Sequence, residues 1–394
     1  MEKFSQKSPW QQFWYDPKKR GYFFQFLVFF AIFGLGTVLV TNTQENLARQ
    51  SIASGFSFLG QEAGFEISES SIEYWADDSY QLALFVGILN TFKVAIIGNF
   101  LAIILGIFVG IFRLSPNWLL SKLSESYIEL ARNIPLLLQL FFWYAVFTEI
   151  FPDVKESLNP IPGVFISQRG FFFPIFKEHF IWKWVWMTFI GGGLLTYGTS
   201  LFLNKLREKT GEKKSLLPFG LLFLFVVPIL IWFFGGAPHE LDIPQLGGFN
   251  FSGGMTLTPE FVALMLGLVI YAGAFNGEIV RAGIESVSRG QWEASQALGL
   301  SRWQTLRLVV LPQSLRVIIP PMTSQVLNLI KNSSLAVGIG YPDFVAVANT
   351  TMNQTGQAIE AVILIMGVYL FFSLSTSFVM NRYNRSQQLK ERGA

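Results

Sequence analysis

A succession of long apolar runs constrains this chain more than any other feature. A helix needs about 20 mainly apolar residues to cross the hydrocarbon core of a bilayer. Runs of that kind occur at Tyr22–Val40, Leu82–Phe112, Tyr127–Phe151, Trp184–Leu203, Leu216–Phe234, Pro259–Ala282, Leu315–Lys331 and Ala358–Met380. Lipid offers the backbone no hydrogen-bonding partner, so each run must satisfy its own amides, as a helix does. The expected fold is all-α: a polytopic membrane protein with about eight transmembrane helices. The second and sixth runs are long enough to tilt or protrude, and Pro320 and Pro321 interrupt the seventh. Charge agrees, since only 14% of the 394 residues are charged, against roughly 25% in soluble domains. This excludes a disordered chain or one that coats nucleic acid.

Lys18, Lys19 and Arg20 precede the first run. That run exceeds the roughly 7–15 apolar residues of a signal peptide and no small-residue cleavage site follows it, so it reads as an uncleaved span. With an even number of spans both termini share a side. That side collects 22 of the 29 Lys and Arg residues and the opposite side five, so the positive-inside rule places both ends in the cytoplasm. The outer segment Gln44–Gly64 is expected to lie along the surface as an amphipathic helix. The loops around Pro160–Pro174 and Gly235–Pro259, rich in Gly, Pro and aromatics, are expected to form compact caps. Trp182, Trp184 and Trp186 fit an outer aromatic belt. The run Gly191-Gly192-Gly193 lies inside a span and suits close helix approach.

Several chemistries are excluded. There is no cysteine, hence no disulfide, iron–sulfur site or thiol catalysis. The only histidines are His179 and His239, which leaves no zinc site of the usual type. No phosphate loop of the form G-x-x-x-x-G-K-[ST] is present. No catalytic residue, metal site or cofactor is expected in this chain.

Between the sixth and seventh runs lies SVSRGQWEASQALGLSRWQTLRLVVLP, Ser286–Pro312, too polar to remain in lipid. Ser288 with Gln291 and Ser301 with Gln304 read as two capping boxes. Gly299 sits where a left-handed residue ends the first helix, and Pro312 punctuates the second. The expected product is a short helix–turn–helix fixed between two spans, so that moving it moves them.

The spacing Glu293-Ala294-Ser295, Gly299, Val309-x-Leu311-Pro312 resembles the EAA signature of ABC importer permeases, with Ser295 in place of an alanine and Val309 of an isoleucine. Tyr127–Tyr144, Glu278–Leu300 and Ile330–Phe344 are similar to polar amino-acid permeases. The extra hairpin Trp184–Phe234 and the added first span look like the long permeases of general L-amino-acid uptake systems. The resemblance implies a type I ABC importer permease core with a cytoplasmic coupling helix, in a bacterial inner membrane. Arg289, Glu293, Ala294, Ser295, Gly299, Arg302 and Pro312 would then couple to a separate ATP-binding subunit, where ATP and Mg act. It also implies a second homologous permease subunit in a heterodimer and a periplasmic amino-acid-binding protein, with no nucleic acid involved. The organisation so implied is residues 1–81 for tail, first span and outer segment, 82–381 for the permease core interrupted by a 151–258 insertion carrying the hairpin, and 382–394 for a cytoplasmic tail.

An ionisable side chain within a span usually faces a polar cavity. Lys331, followed by Asn332, Ser333 and Ser334, is the leading candidate for the substrate pathway, its ammonium meeting a carboxylate; the alternative is that Lys331 snorkels to the interface. Gly338, Gly340 and Pro342 suggest broken backbone, tolerated at membrane depth only when it is buried in protein or lines a cavity. Asn90 and Thr91 form a second polar cluster, and Lys93 beside them reads as an interfacial snorkeller. Glu278 and Arg281 are spaced for an ion pair, and Arg132-Asn133-Ile134-Pro135 for a local helix adjustment. A rival class is an ion-coupled secondary amino-acid transporter, which usually shows two repeated halves; no repeat is apparent. A membrane-embedded enzyme would need a paired carboxylate, metal cluster or nucleophile–histidine arrangement, and none is seen.

Overall fold

The computed structural model describes residues 14–49, 55–211 and 215–389. Its helices are, in chain order, α1 (Pro17–Arg49), α2 (Tyr80–Arg113), α3 (Trp118–Asn133), α4 (Leu136–Ala145), α5 (Phe180–Thr210), α6 (Leu217–Leu221), α7 (Val227–Phe234), α8 (Pro259–Glu285), α9 (Arg289–Ala297), α10 (Arg302–Thr305), α11 (Leu311–Asn332), α12 (Phe344–Thr355) and α13 (Ala358–Leu389). Eight short strands lie between α4 and α8: β1 (Leu158–Ile161), β2 (Val164–Ser167), β3 (Gly170–Phe173), β4 (Ile175–Phe176), β5 (Leu241–Asp242), β6 (Gln245–Gly247), β7 (Asn250–Ser252) and β8 (Met255–Leu257).

Among the described residues, five helices are long and apolar enough to cross a bilayer: Pro17–Thr43 within α1, all of α2, Leu217–Phe234, α8, and Ala358–Arg382 within α13. The pair Trp118–Asn133 and Leu136–Ile150 makes a sixth if counted as one broken span. The expected eight are not all reached, for three reasons. The third run is not a single rod, because the chain turns by 103° between α3 and α4. The fourth is helical in α5 but diluted by Trp, Gly and Thr. The seventh is helical in α11 but carries Gln, Ser, Arg, Thr and Asn.

The chain divides into two compact units, Met1–Lys93 with Pro342–Ala394, and Val94–Tyr341. In the first, α1 buries none of its most apolar stretch. The Thr37 and Thr41 hydroxyls donate back to the Phe33 and Thr37 carbonyls at 2.9 and 3.0 Å, so both are satisfied within the helix. The expected surface helix over Gln44–Gly64 is not formed as such: α1 continues to Arg49, residues 50–54 lie outside the described chain, and Ser57–Gly60 is one 3-10 turn. Residues 55–79 instead cover the start of α2. Phe58 and Ala63 are buried with Tyr80, Ala83, Leu84, Phe344, Val347 and Ala348, and the Tyr80 amide donates to the Gln61 carbonyl at 3.0 Å.

In the second unit α8 is the hub, packing against α3, α4 and α11. A Cβ at Gly106 would lie 2.3 Å from Asn276 Cβ, and one at Gly110 2.7 Å from the Gly277 carbonyl oxygen. These small residues recur every fourth position and let two backbones touch, the usual way membrane helices gain packing. The core beside them holds Leu140, Leu264, Leu268, Leu329 and Ala336. In the hairpin, a Cβ at Gly192 would meet the Phe223 carbonyl oxygen at 2.3 Å, the close approach expected of the glycine run.

The expected caps are small sheets. One sheet has the order β1-β2-β3-β8, and β4 pairs with β5 and β6 with β7. Phe171 faces Leu257 and Ile175 faces Asp242, so strands on either side of the hairpin pair with each other. Phe165, Phe172 and Phe251 stack at 4.5 and 4.6 Å between centroids, supplying a core that strands this short need.

Candidate functional site

The segment between α8 and α11 folds into two short helices whose junction is set by sequence. The helix α9 ends at Gly299, whose φ is +71°. The Leu300 amide donates to the Ser295 carbonyl at 3.1 Å and the Gly299 amide to Gln296 at 2.9 Å. That pair of bonds is the Schellman motif, which ties off the last carbonyls of a helix and requires a left-handed residue at Gly299. Two residues later α10 begins with a complete capping box: Ser301 Oγ accepts from the Gln304 amide at 3.3 Å, and Gln304 Oε1 accepts from the Ser301 amide at 2.8 Å. The first box is incomplete. Ser288 stands at the N-cap of α9 but its hydroxyl makes no capping bond, and the Gln291 side chain instead accepts from Gln313 Nε2 at 3.3 Å.

That contact, with burial of Ser295 and Thr305 at 2% exposure each, seats α9 against the foot of α11. Ser295 Oγ donates to the Gln291 carbonyl at 2.6 Å, so a hydroxyl is accommodated where its side chain is enclosed. α10 runs through the wide turn Leu306–Val310 directly into α11, so Pro312, expected to punctuate the second helix, instead lies within a continuous helical stretch as the second residue of α11. The outward surface carries Arg289, Glu293, Ala294, Gly299 and Arg302, all exposed, with Leu298 and Trp303 at 79% and 70% exposure. Exposed charged side chains thus flank two protruding apolar groups on this surface.

At the other end of this region, α8 closes with an ionic cluster. Arg281 grips Glu278 bidentately, Nε–Oε2 at 3.0 Å and Nη2–Oε1 at 2.6 Å, and also bonds Glu285. Arg113 and Lys122 share Glu125 at 3.5 and 2.9 Å. Arg132 lies 4.9 Å above the Phe275 ring.

The substrate-pathway candidates fall into separate units. Lys331 is exposed and Asn332 half-buried at the end of α11. The Ser333 and Ser334 hydroxyls donate to the Ile330 and Lys331 carbonyls at 2.8 and 2.7 Å, so both hydroxyl protons close the helix end. The chain then makes a 3-10 turn to Gly340, φ +80°, a break of the kind expected there. In the other unit, Asn90 is fully buried and donates to the Glu69 and Pro342 carbonyls at 2.8 and 2.9 Å. Thr91 Oγ1 accepts from the Phe344 amide at 3.0 Å. Lys93 Nζ pairs with Glu69 Oε1 at 2.5 Å, so its ammonium is held by the 55–79 segment.

Gln139 escaped sequence reading. It is buried in α4, and its amide donates to the Ala131 and Ile134 carbonyls at 2.8 and 3.0 Å. Pro135 has no N–H to offer Ala131, so Gln139 supplies the donor that the bend removes. A lone amide in the apolar run Leu136–Ala145, four residues past a proline, was the available signal. Among the described residues no group of three His, Asp or Glu side chains is placed to hold a metal ion.

Residues 215–388 match the family described as binding-protein-dependent transport system inner membrane component. YhdX of Escherichia coli (strain K12), named as an amino-acid ABC transporter permease protein, is 45% identical over 381 residues, covering 96% of each chain. The general L-amino acid transport system permease protein AapQ of Rhizobium johnstonii is 44% identical over 380 residues, covering 96% of this chain and 94% of that protein. The glutamate/glutamine/aspartate/asparagine transport system permease protein BztB of Rhodobacter capsulatus is 37% identical over 421 residues, covering 96% of each.

Proposed function

The chain belongs to the inner-membrane components of binding-protein-dependent transport systems, the ABC transporter permeases, and we propose that it forms part of the translocation path of an ATP-driven importer of amino acids. In this reading Arg289, Glu293, Ala294, Ser295, Gly299, Arg302 and Pro312 make up the lever that a separate ATP-binding subunit moves. ATP and Mg act on that subunit; the present chain performs no covalent chemistry. A second, homologous permease completes the path, and a periplasmic protein delivers the amino acid. Both termini lie in the cytoplasm. Residues 82–381 form the core and 151–258 the insertion within it.

The carrying observation is the local bonding that shapes Ser286–Pro312. A Schellman stop, a complete capping box and the Gln291–Gln313 contact fix α9 to α11, while the exposed side presents Leu298 and Trp303 to a partner. In this reading a displacement of α9 is carried along the chain to α11 and α8. Alternation between inward- and outward-facing states then requires nucleotide and substrate to prefer different states. Lys331 and Asn332, whose polar ends are spared by the helix end, are the candidates for contact with substrate. The ion-coupled alternative has no observation in its favour.

The test replaces Glu293 by Lys in the assembled transporter. Loss of ATP-driven uptake and of co-purifying ATPase, with the permease still folded and membrane-inserted, is expected. Uptake and co-purification both at wild-type level would overturn the assignment.

A further inference from the structure

A charged pocket of about 310 Å³ opens on the insertion, away from Ser286–Pro312 in sequence, lined by Asp153, Lys155, Glu156, Gln168, Arg169 and Phe249. Three turns build it: the single helical turn Val154–Glu156, the β2–β3 turn and the β6–β7 turn. They are fastened to one another. The Gln168 amide donates to the Pro152 carbonyl at 2.9 Å, the Gln168 side chain bonds the Asp153 carboxylate, and Val154 is buried beneath. Gly248, with φ +66°, takes the left-handed conformation that lets the turn hold Phe249 out at the rim, 82% exposed.

Two cations and two anions, all four exposed, thus line one open depression. Among the described residues, Lys155, Glu156 and Arg169 form no ion pair, although on the same insertion Lys177 and Glu240 do pair, at 2.9 Å. The pocket therefore offers both signs of charge that its own residues do not neutralise. A ligand with one charge leaves the opposite pair uncompensated, whereas a zwitterion answers both. Guanidinium presents a planar fork matched to carboxylate, and carboxylates accept from an ammonium. A volume near the lower end of the roughly 300–1,000 Å³ range of ligand pockets suits one small molecule.

We propose that this pocket binds a free zwitterionic α-amino acid, with Arg169 and Lys155 on the carboxylate, Asp153 and Glu156 on the ammonium, and Phe249 over an apolar side chain. The ligand class rests on the reading of the chain as an amino-acid permease; the site itself is accessory to the translocation path. The full-length chain in nanodiscs is titrated calorimetrically with L-leucine, 4-methylpentanoate and 3-methylbutylamine. Saturable L-leucine binding is expected, with each singly charged analogue at least tenfold weaker. Arg169→Gln and Glu156→Gln, both at exposed positions, should each weaken L-leucine at least tenfold without moving the unfolding temperature. Phe249→Ala should weaken L-leucine but not glycine. No saturable binding, or binding that both charge variants leave unchanged, overturns the proposal, as does capture there of the periplasmic binding protein alone. Uptake by the assembled wild-type transporter is measured in parallel: uptake without pocket binding sinks only the pocket, and absence of any amino-acid uptake sinks the functional reading.

Discussion

Gln139 repairs a bend that Pro135 creates. Its two bonds to the Ala131 and Ile134 carbonyls are made in a buried setting, where leaving a polar group unmet costs about 1–3 kcal/mol. Gln139→Leu is expected to destabilise the protein by about that amount and to lower its unfolding temperature in detergent; an unchanged temperature would show that the bend holds itself. Asp343 is a second residue whose role is local. It caps α12, Oδ1 accepting from the Ala346 amide at 2.8 Å and Oδ2 from the Tyr369 hydroxyl at 3.2 Å, while burial pushes its carboxyl up to about 7. An unfolded Asp titrates near ~3.9, so between those values the folded state binds the extra proton. Stability from this group is full below about pH 4, falls as pH rises to about 7, and is flat beyond. Asn caps helices as well as Asp, so Asp343→Asn should flatten that slope in melts recorded from pH 4 to 8. A slope equal to wild type would assign the dependence to another group.

The helix–turn–helix shows which local signals survive folding. Gly299 and the Ser301–Gln304 box were legible because every bond they make lies within six residues. The Ser288–Gln291 box was not realised, because Gln291 is taken by Gln313 from α11, a partner 22 residues away that no local pattern announces. No heavy atom lies within 4 Å of a Cβ built at Gly299, so a Cβ there meets only backbone strain, of about 1–2 kcal/mol. Gly299→Ala and Gly299→Arg share that strain, yet only arginine adds bulk toward a docked partner. Alanine is therefore expected to keep most ATP-driven uptake and arginine to abolish it. Equal loss in both would mean that the turn's conformation, and not its outward face, is what matters.

For the molecule as a whole, sidedness is the consequence most directly measured. The chain has no cysteine, so single cysteines report on a silent background. Leu298→Cys should react with an impermeant maleimide only in inverted vesicles, and Phe249→Cys only in intact spheroplasts; labelling of both from one side would refute the orientation. Lys331→Ala should weaken uptake of amino acids while leaving ATPase co-purification intact, and wild-type uptake kinetics would remove Lys331 from the path.

Apolar runs and their spacing were enough to establish a helical membrane protein, because lipid forces each run to satisfy its own backbone. Residues close in sequence also determined the stops and starts around Gly299 and Ser301. The break at Pro135 was likewise marked locally, by the proline itself. Two features arose only from distant segments meeting. The sheets required β3 to find β8 and β4 to find β5 across an intervening hairpin. Lys93 acquired its partner from the segment folded over the start of α2. In each case the deciding energy is a contact between residues tens of positions apart, and a linear pattern carries no trace of which distant partner will arrive.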